Sequence, residues 1–366
     1  MQLIWFSPHH LHRAIGEWHE DLRAFFNIFQ AFNPGSFVDR TGIIKPPVFI
    51  EIDEDCKIPT LEGPIKTYDD CCYEQSVKIM NIAKIKKVPI YLYFSGGLDS
   101  TTVMTAFLKS YPLSELKDVI KIVTSTQSWL ENPNFIKKYL SGNFEFISAF
   151  NSSHFYDGRA IITTGEFNEH FFCFNTPTKN MTTLYGANGI NRKYLKDNLK
   201  DYLIKCKLEE KTANLWVELI HSTIKVSPVS IKTMQDMFWW YNFIFNWQCC
   251  RYRLFALKNN YKSNPESIIF KNKEAFNTYI QHFFDSPEFQ RWGLGNKDRS
   301  CVKKESRKYI KDFSDDNYFK TKGKFSSLVH VNKGKRFAAG ITTDFKFIFD
   351  MKDIGPYYNP DNSFRS

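Results

Sequence analysis

Tyr91-Leu-Tyr-Phe-Ser-Gly-Gly-Leu-Asp-Ser-Thr-Thr102 is the stretch that decides the fold class. Val88, Ile90, Leu92 and Phe94 form a β-prone apolar run that predicts a buried strand. Ser95-Gly96-Gly97 breaks the run, and the segment through Thr102-Val-Met-Thr-Ala-Phe-Leu108 predicts a helix. Without a Cβ, Gly96 and Gly97 let a ligand approach the backbone and permit positive φ. The first amides of a helix have no acceptor within it, so they attract anions, and short hydroxyls help to ring them. The expectation is a phosphate cradle at the carboxyl end of a strand, where open α/β sheets bind ligands. A glycine turn that carries no ligand is the alternative.

Working outward, Cys72 to Ile85 has the spacing of an amphipathic helix leading into this strand, with Ile79, Ile82 and Ala83 on its buried face. Ile120 to Ser125 and Phe144 to Ser148 predict two further strands, with a helix over Asn132 to Leu140 between them. Ala160 to Phe172 again reads as strand, turn and helix. Such alternation predicts a parallel, right-handed βαβ sheet. Upstream, Leu11 to Phe32 has helical spacing and Pro47 to Ile52 looks like a strand. Downstream, residues 187–260 read as helical, with Met234 to Leu257 apolar nearly all round. Trp239 and Trp240 there have two readings, core packing or stacking on a base, and Arg251 and Arg253 read as ion-pair or phosphate partners. Lys335 to Phe349 predicts a β-hairpin around Ala338-Ala-Gly340.

The 366 residues carry 49 Lys and Arg against 39 Asp and Glu, a net charge of +10, which permits an anionic partner. No apolar run is long enough for a transmembrane helix, so no membrane partner is expected, and the start lacks the pattern of a signal peptide. The eight cysteines form no CxxC pair, and they read as reduced thiols of a cytoplasmic protein. His9, His10, His12 and His19 have no carboxylate or cysteine to complete a ligand set and read as surface histidines.

The turn has neither GxxxxGK[ST] nor GxGxxG, but Ser95-Gly-Gly-Leu-Asp-Ser100 resembles the SGGxDS signature of the PP-loop ATP pyrophosphatases. The helix, short basic link and strand before it make the asparagine synthetase domain the nearest likeness. Gly165-Glu-Phe-Asn-Glu-His170 resembles that domain's G-[ED]-G-[AS]-D-E segment, with Phe167 in place of a glycine, Glu169 in place of the aspartate and His170 in place of the last glutamate. Between Lys297 and Lys324 lie ten Lys or Arg and five Asp or Glu, similar to the domain's lysine-rich stretch, with Lys322 and Lys324 its nearest counterparts. The likeness implies an α/β, doubly wound PP-loop domain over residues 68–325. A largely helical C-terminal part belongs to it, with a small extension at 1–67 and a hairpin extension at 326–366.

It also implies a site. Ser95, Gly96, Gly97, Leu98, Asp99, Ser100 and Thr101 would bind the phosphates of ATP, and Val123, Thr124 and Ser125 the adenine. Gly165 and Glu166 would border the nucleotide, Asp99 and Glu169 would hold Mg2+, and Lys322 would act in the amide-forming step. The implied activity is an AMP-forming ligase that adenylates an acceptor and transfers ammonia or an amine. Gln2 and a 67-residue extension do not match the glutaminase domain that glutamine-dependent relatives carry. A small carboxylate or a nucleobase is the implied substrate. A PP-loop enzyme modifying nucleobases or tRNA is the alternative reading, which the net charge favours. A non-catalytic nucleotide-binding protein is the third.

Overall fold

The computed structural model describes residues 2–6, 28, 31–32, 38–46, 48–149, 156–256, 266–314, 338–349, 353 and 356–357. In chain order, β1 (Leu3–Phe6) is followed by α1 (Tyr68–Lys86), β2 (Ile90–Tyr93), α2 (Leu98–Ser110), α3 (Leu113–Val119), β3 (Ile120–Thr124) and α4 (Thr126–Glu131). Next come β4 (Glu145–Ser148), β5 (Ile161–Thr164), α5 (Asn175–Tyr185), α6 (Lys196–Lys205), α7 (Glu210–Lys225), α8 (Met234–Phe245) and α9 (Trp247–Arg253). The chain closes with α10 (Lys273–Tyr279), β6 (Ile280–His282), α11 (Pro287–Gly295), α12 (Lys304–Phe313), β7 (Gly340–Thr342) and β8 (Phe347–Ile348).

Five strands form an all-parallel sheet in the order β4-β3-β2-β5-β6, so the protein is of the α/β class. Leu92 lies opposite Ile122 on one side and Thr163 on the other. Ile90 and Leu92 are fully buried in the core that also takes in Ile79, Met80, Val103 and Phe107 of α1 and α2. Tyr91, Tyr93 and Ile162 point the other way, into a second cluster with Tyr252, Phe255 and Phe270. Burial of both faces is what an all-parallel sheet requires. Each fully buried aliphatic side chain contributes about 1.5–3 kcal/mol. The chain runs from β2 to one edge and then returns to β5 on its other side. The carboxyl ends of β2 and β5 therefore flank a crevice at the point where strand order reverses.

Local chemistry fixes the entry to β2. Thr67 Oγ1 accepts from the Asp70 amide at 3.1 Å, and Asp70 accepts in return from the Thr67 amide at 3.3 Å, so α1 starts a turn earlier than its apolar spacing predicts. Lys87, at φ 53°, ends it in the left-handed region and turns the chain into the strand.

Several expectations need correction. After Asn132 comes a single helical turn and then a wide π-type turn to Leu140, instead of one regular helix. The segment after β5 makes a turn and a short 3-10 element over Asn168–Phe171, with no α-helix. Residues 234–257 are interrupted at Asn246, and Trp239 and Trp240 are fully buried, which makes them core residues and leaves neither to stack on a base. Ile50 makes one bridge to Leu3 without forming a strand. The C-terminal hairpin turns at residues 343–346, with Ala338-Ala-Gly340 entering β7, and β7 pairs with β1 to join the two ends of the chain in a small antiparallel sheet. The helix expected over 11–32 and the histidines at 9, 10, 12 and 19 lie outside the described residues, apart from Ile28, Ala31 and Phe32.

Candidate functional site

The glycine turn leaves β2 after Phe94, whose amide donates to the Val123 carbonyl at 2.8 Å. Gly96 has φ +76°, and a Cβ there would lie 2.6 Å from the Ser128 carbonyl oxygen. Hydroxyls organise the turn. Ser100 Oγ accepts from the Ser95 amide at 3.1 Å and donates to the Gly97 carbonyl at 3.2 Å, while Ser95 Oγ accepts from the Gly97 amide at 3.2 Å. The amides of Leu98, Asp99 and Ser100 then open α2, with no residue four back inside the helix to accept them. Thr101 is the first whose amide is taken within the turn, by Gly97 at 3.0 Å.

The second stretch packs onto this one. A Cβ on Gly165 would stand 2.9 Å from the carbonyl carbon of Asp99 and 2.9 Å from the Ser100 nitrogen. Only glycine leaves room for the end of β5 against the first turn of α2. Phe167 follows at φ 78°, a left-handed conformation that costs a side-chain-bearing residue about 1–2 kcal/mol. Burial offsets that cost: its ring packs 4.7 Å from Trp247 and 5.2 Å from His282. His282, at the end of β6, bonds Thr164 Oγ1 at 2.7 Å through Nδ1 and lies 3.2 Å from the Arg251 carbonyl through Nε2. Burial pushes its pKa down to about 4, so the ring is neutral near pH 7.

Asp99 is the hub of the side-chain network. Lys303 Nζ donates to both of its carboxylate oxygens at 2.8 Å, and Asn168 Nδ2 donates to Oδ1 at 2.6 Å. Asn168 is in turn held by Tyr68 OH at 3.2 Å and by Ser306 Oγ at 2.9 Å. Burial raises the Tyr68 pKa well above its usual value, so its hydroxyl remains a donor. Glu166 is paired with Arg253 and accepts from the Cys250 thiol at 3.3 Å. Arg251 pairs with Asp285.

Two hollows flank the turn. One, of about 500 Å³, opens at the ends of β3 and β4 and is lined by Thr124, Ser125, Trp129, Phe146 and Ser148. Trp129 and Phe146 pack 4.9 Å apart, and the buried Thr124 hydroxyl has no hydrogen-bond partner among the described residues. The other, of about 480 Å³, is lined by Glu169, His170, Asn242, Asn246, Arg253 and Lys303 among others. His170 is buried, its pKa is lowered to about 4 by desolvation, and its Nδ1 has no partner among the described residues.

The structure thus brings together Ser95, Gly96, Gly97, Leu98, Asp99, Ser100 and Thr101 with Gly165, while the carboxylate of Glu166 is held by Arg253 and Cys250. Thr124 and Ser125 line a neighbouring hollow, while Val123 is buried within the sheet. Glu169 is exposed at the rim of the 480 Å³ cavity. The donor set around Asp99 does not fit the Mg2+ clamp that the resemblance implies. Both Asp99 oxygens are held by an ammonium, its neighbour from the second stretch is the amide Asn168, and no group of three or more acidic, His or Cys side chains able to hold a metal exists among the described residues. Lys322 and Lys324 lie outside the described residues. Sequence reasoning did not single out Lys303, Asn168 or Tyr68. Lys303 falls in the basic run that drew attention to Lys322, and Asn168 falls inside the second motif. All eight cysteines are free thiols. No helix among the described residues is long and apolar enough to cross a membrane.

Fold and site together define an α/β protein with a glycine-turn crevice at the reversal point of a five-stranded parallel sheet. No family model matches the sequence, and neither a curated protein nor a solved structure matches the chain.

Proposed function

We propose that this protein is a PP-loop, AMP-forming ligase that adenylates an acceptor and transfers ammonia or an amine to it. The observation that carries the reading is Gly165 against the backbone of Asp99 and Ser100. It unites at one crevice the two stretches that separately resemble the asparagine synthetase domain. Phe167, which stands where the resembled pattern has glycine, lies at φ 78°, a backbone conformation that glycine adopts without strain, and this adds support. In this reading the amides that open α2 bind the phosphates, and Trp129 with Thr124 receives the adenine. The nucleotide is ATP, arriving as its magnesium complex. An acceptor oxygen attacks the α-phosphorus, the bond to pyrophosphate breaks, and the acceptor–AMP ester is then opened by the amine with release of AMP. The protein's main tasks are to align the acceptor and to neutralise the leaving charge. Mass spectrometry after incubation with ATP and candidate carboxylates should show an acceptor heavier by one adenylyl group, or the derived amide.

One observation favours a second reading. Lys304, Arg307, Lys308 and Lys311 are exposed on α12, directly after Lys303. A nucleic acid would suit that face, making its nucleobase the acceptor. Binding of tRNA that weakens steeply with salt would support this alternative.

A further inference from the structure

We propose that Lys303 is the resident cation of the pyrophosphate-binding turn, with Asp99 as its positioning partner, in place of a divalent ion held between two carboxylates. The inference rests on the ligase reading above and concerns how that site neutralises its leaving group. Three observations carry it.

The ammonium of Lys303 is fixed 2.8 Å from each oxygen of Asp99, which stands in the first turn of α2 beside the amides that open the helix. Lys303 is held there by its backbone as well: it lies at φ 55° and immediately precedes α12, whose Ser306 is tied to Asn168 and Tyr68. Lys303 also lines the 480 Å³ cavity, so the residue borders both that open space and, through Asp99, the glycine turn. An ammonium donates three hydrogen bonds. Two point at Asp99, and the third is available to a phosphate oxygen on the cavity side. A carboxylate that already accepts from Lys303 and Asn168 has little lone-pair capacity left for a metal. Magnesium that accompanies ATP would then be held by the nucleotide's own phosphate oxygens.

The test is calorimetric titration of inorganic pyrophosphate into nucleotide-free protein in EDTA. Binding is expected without metal, at least tenfold weaker in Lys303→Met and largely restored in Lys303→Arg, with melting curves confirming the fold. Paramagnetic resonance of Mn2+ added to the nucleotide-free protein should show no bound ion. Pyrophosphate binding that requires added Mg2+, Mn2+ binding lost in Asp99→Asn, or equal affinity in a folded Lys303→Met protein would each overturn the inference. The wild-type titration in EDTA decides the matter even if Lys303→Met does not fold. Failure of the ligase reading looks different: pyrophosphate would bind as expected while ATP remained uncleaved.

Discussion

Lys303 and Asp99, 204 positions apart in the chain, meet as a two-pronged ion pair at the mouth of the glycine turn. The pair joins α2 to the start of α12, and through Asn168 it reaches the turn after β5. Removing one partner tests both the structure and the chemistry. Asp99→Asn should leave the fold intact, because the pair is partly open to solvent and such pairs contribute about 1 kcal/mol or less. Pyrophosphate release should nevertheless fall about a hundredfold, roughly 3 kcal/mol, because the Lys303 ammonium is no longer held in position at the turn. Quenched-flow assay of pyrophosphate, with circular dichroism as the folding control, checks both halves.

Glu169 separates two accounts of the site. It lies at the exposed rim of the cavity that Lys303 also lines, next in sequence to Asn168. If Lys303 supplies the positive charge, Glu169→Gln should change turnover less than about threefold, well under 1 kcal/mol. A hundredfold loss that excess magnesium restores would mean that Glu169 holds the metal after all.

The glycine positions give a stability prediction. Gly96→Ala would put a Cβ 2.6 Å from a backbone oxygen at φ +76°, and Gly165→Ala would put one 2.9 Å from two backbone atoms. Each should cost about 2 kcal/mol or more through strain and overpacking. Chemical denaturation of each variant measures it, and a midpoint unchanged from wild type would show that the two motif turns are looser than described.

How much of this was legible beforehand follows from chain length and period. β2 to β5 could be read because each is an apolar run bounded by turn residues. β6 could not: three residues, Ile280–His282, follow α10 without a break and carry no alternation. The interruption at Asn246 was hidden because α8 and α9 are buried on nearly every side, which erases periodicity. The glycine turn was plain from Ser95 to Ser100, whereas its cation was not. Lys303 is one of ten basic residues in its stretch, and only the packing of α12 on α2 selects it. Asn168 was passed over for its neighbour Glu169, since the resemblance drew the eye to carboxylates.

Acid should destabilise the fold through its buried histidines. His170 and His282 have pKa values lowered to about 4 by burial, against about 6.5 when unfolded. A depressed pKa means that the unfolded chain binds more protons as pH falls. The stabilisation is therefore present above about pH 6.5 and is lost between there and about pH 4. His282→Gln should lower stability at pH 7, because Thr164 loses its partner, yet flatten the fall in melting temperature between pH 6.5 and 4.5. An unchanged slope would place the titrating groups elsewhere.

The hollow proposed for adenine can be tested by itself. Removing the Trp129 ring should weaken ATP binding about tenfold or more, the usual scale of base–aromatic stacking at about 1–3 kcal/mol. Calorimetry with Trp129→Ala and Trp129→Phe checks it, and the Phe variant should recover most of the affinity.

The most direct test of the whole account is the fate of ATP. Purified protein, ATP, magnesium and an ammonium-plus-carboxylate acceptor mixture are incubated, and the nucleotides are separated by ion-exchange chromatography. The account predicts AMP and pyrophosphate in equal amounts, lost together in Asp99→Asn. ADP and orthophosphate as the main products would contradict it.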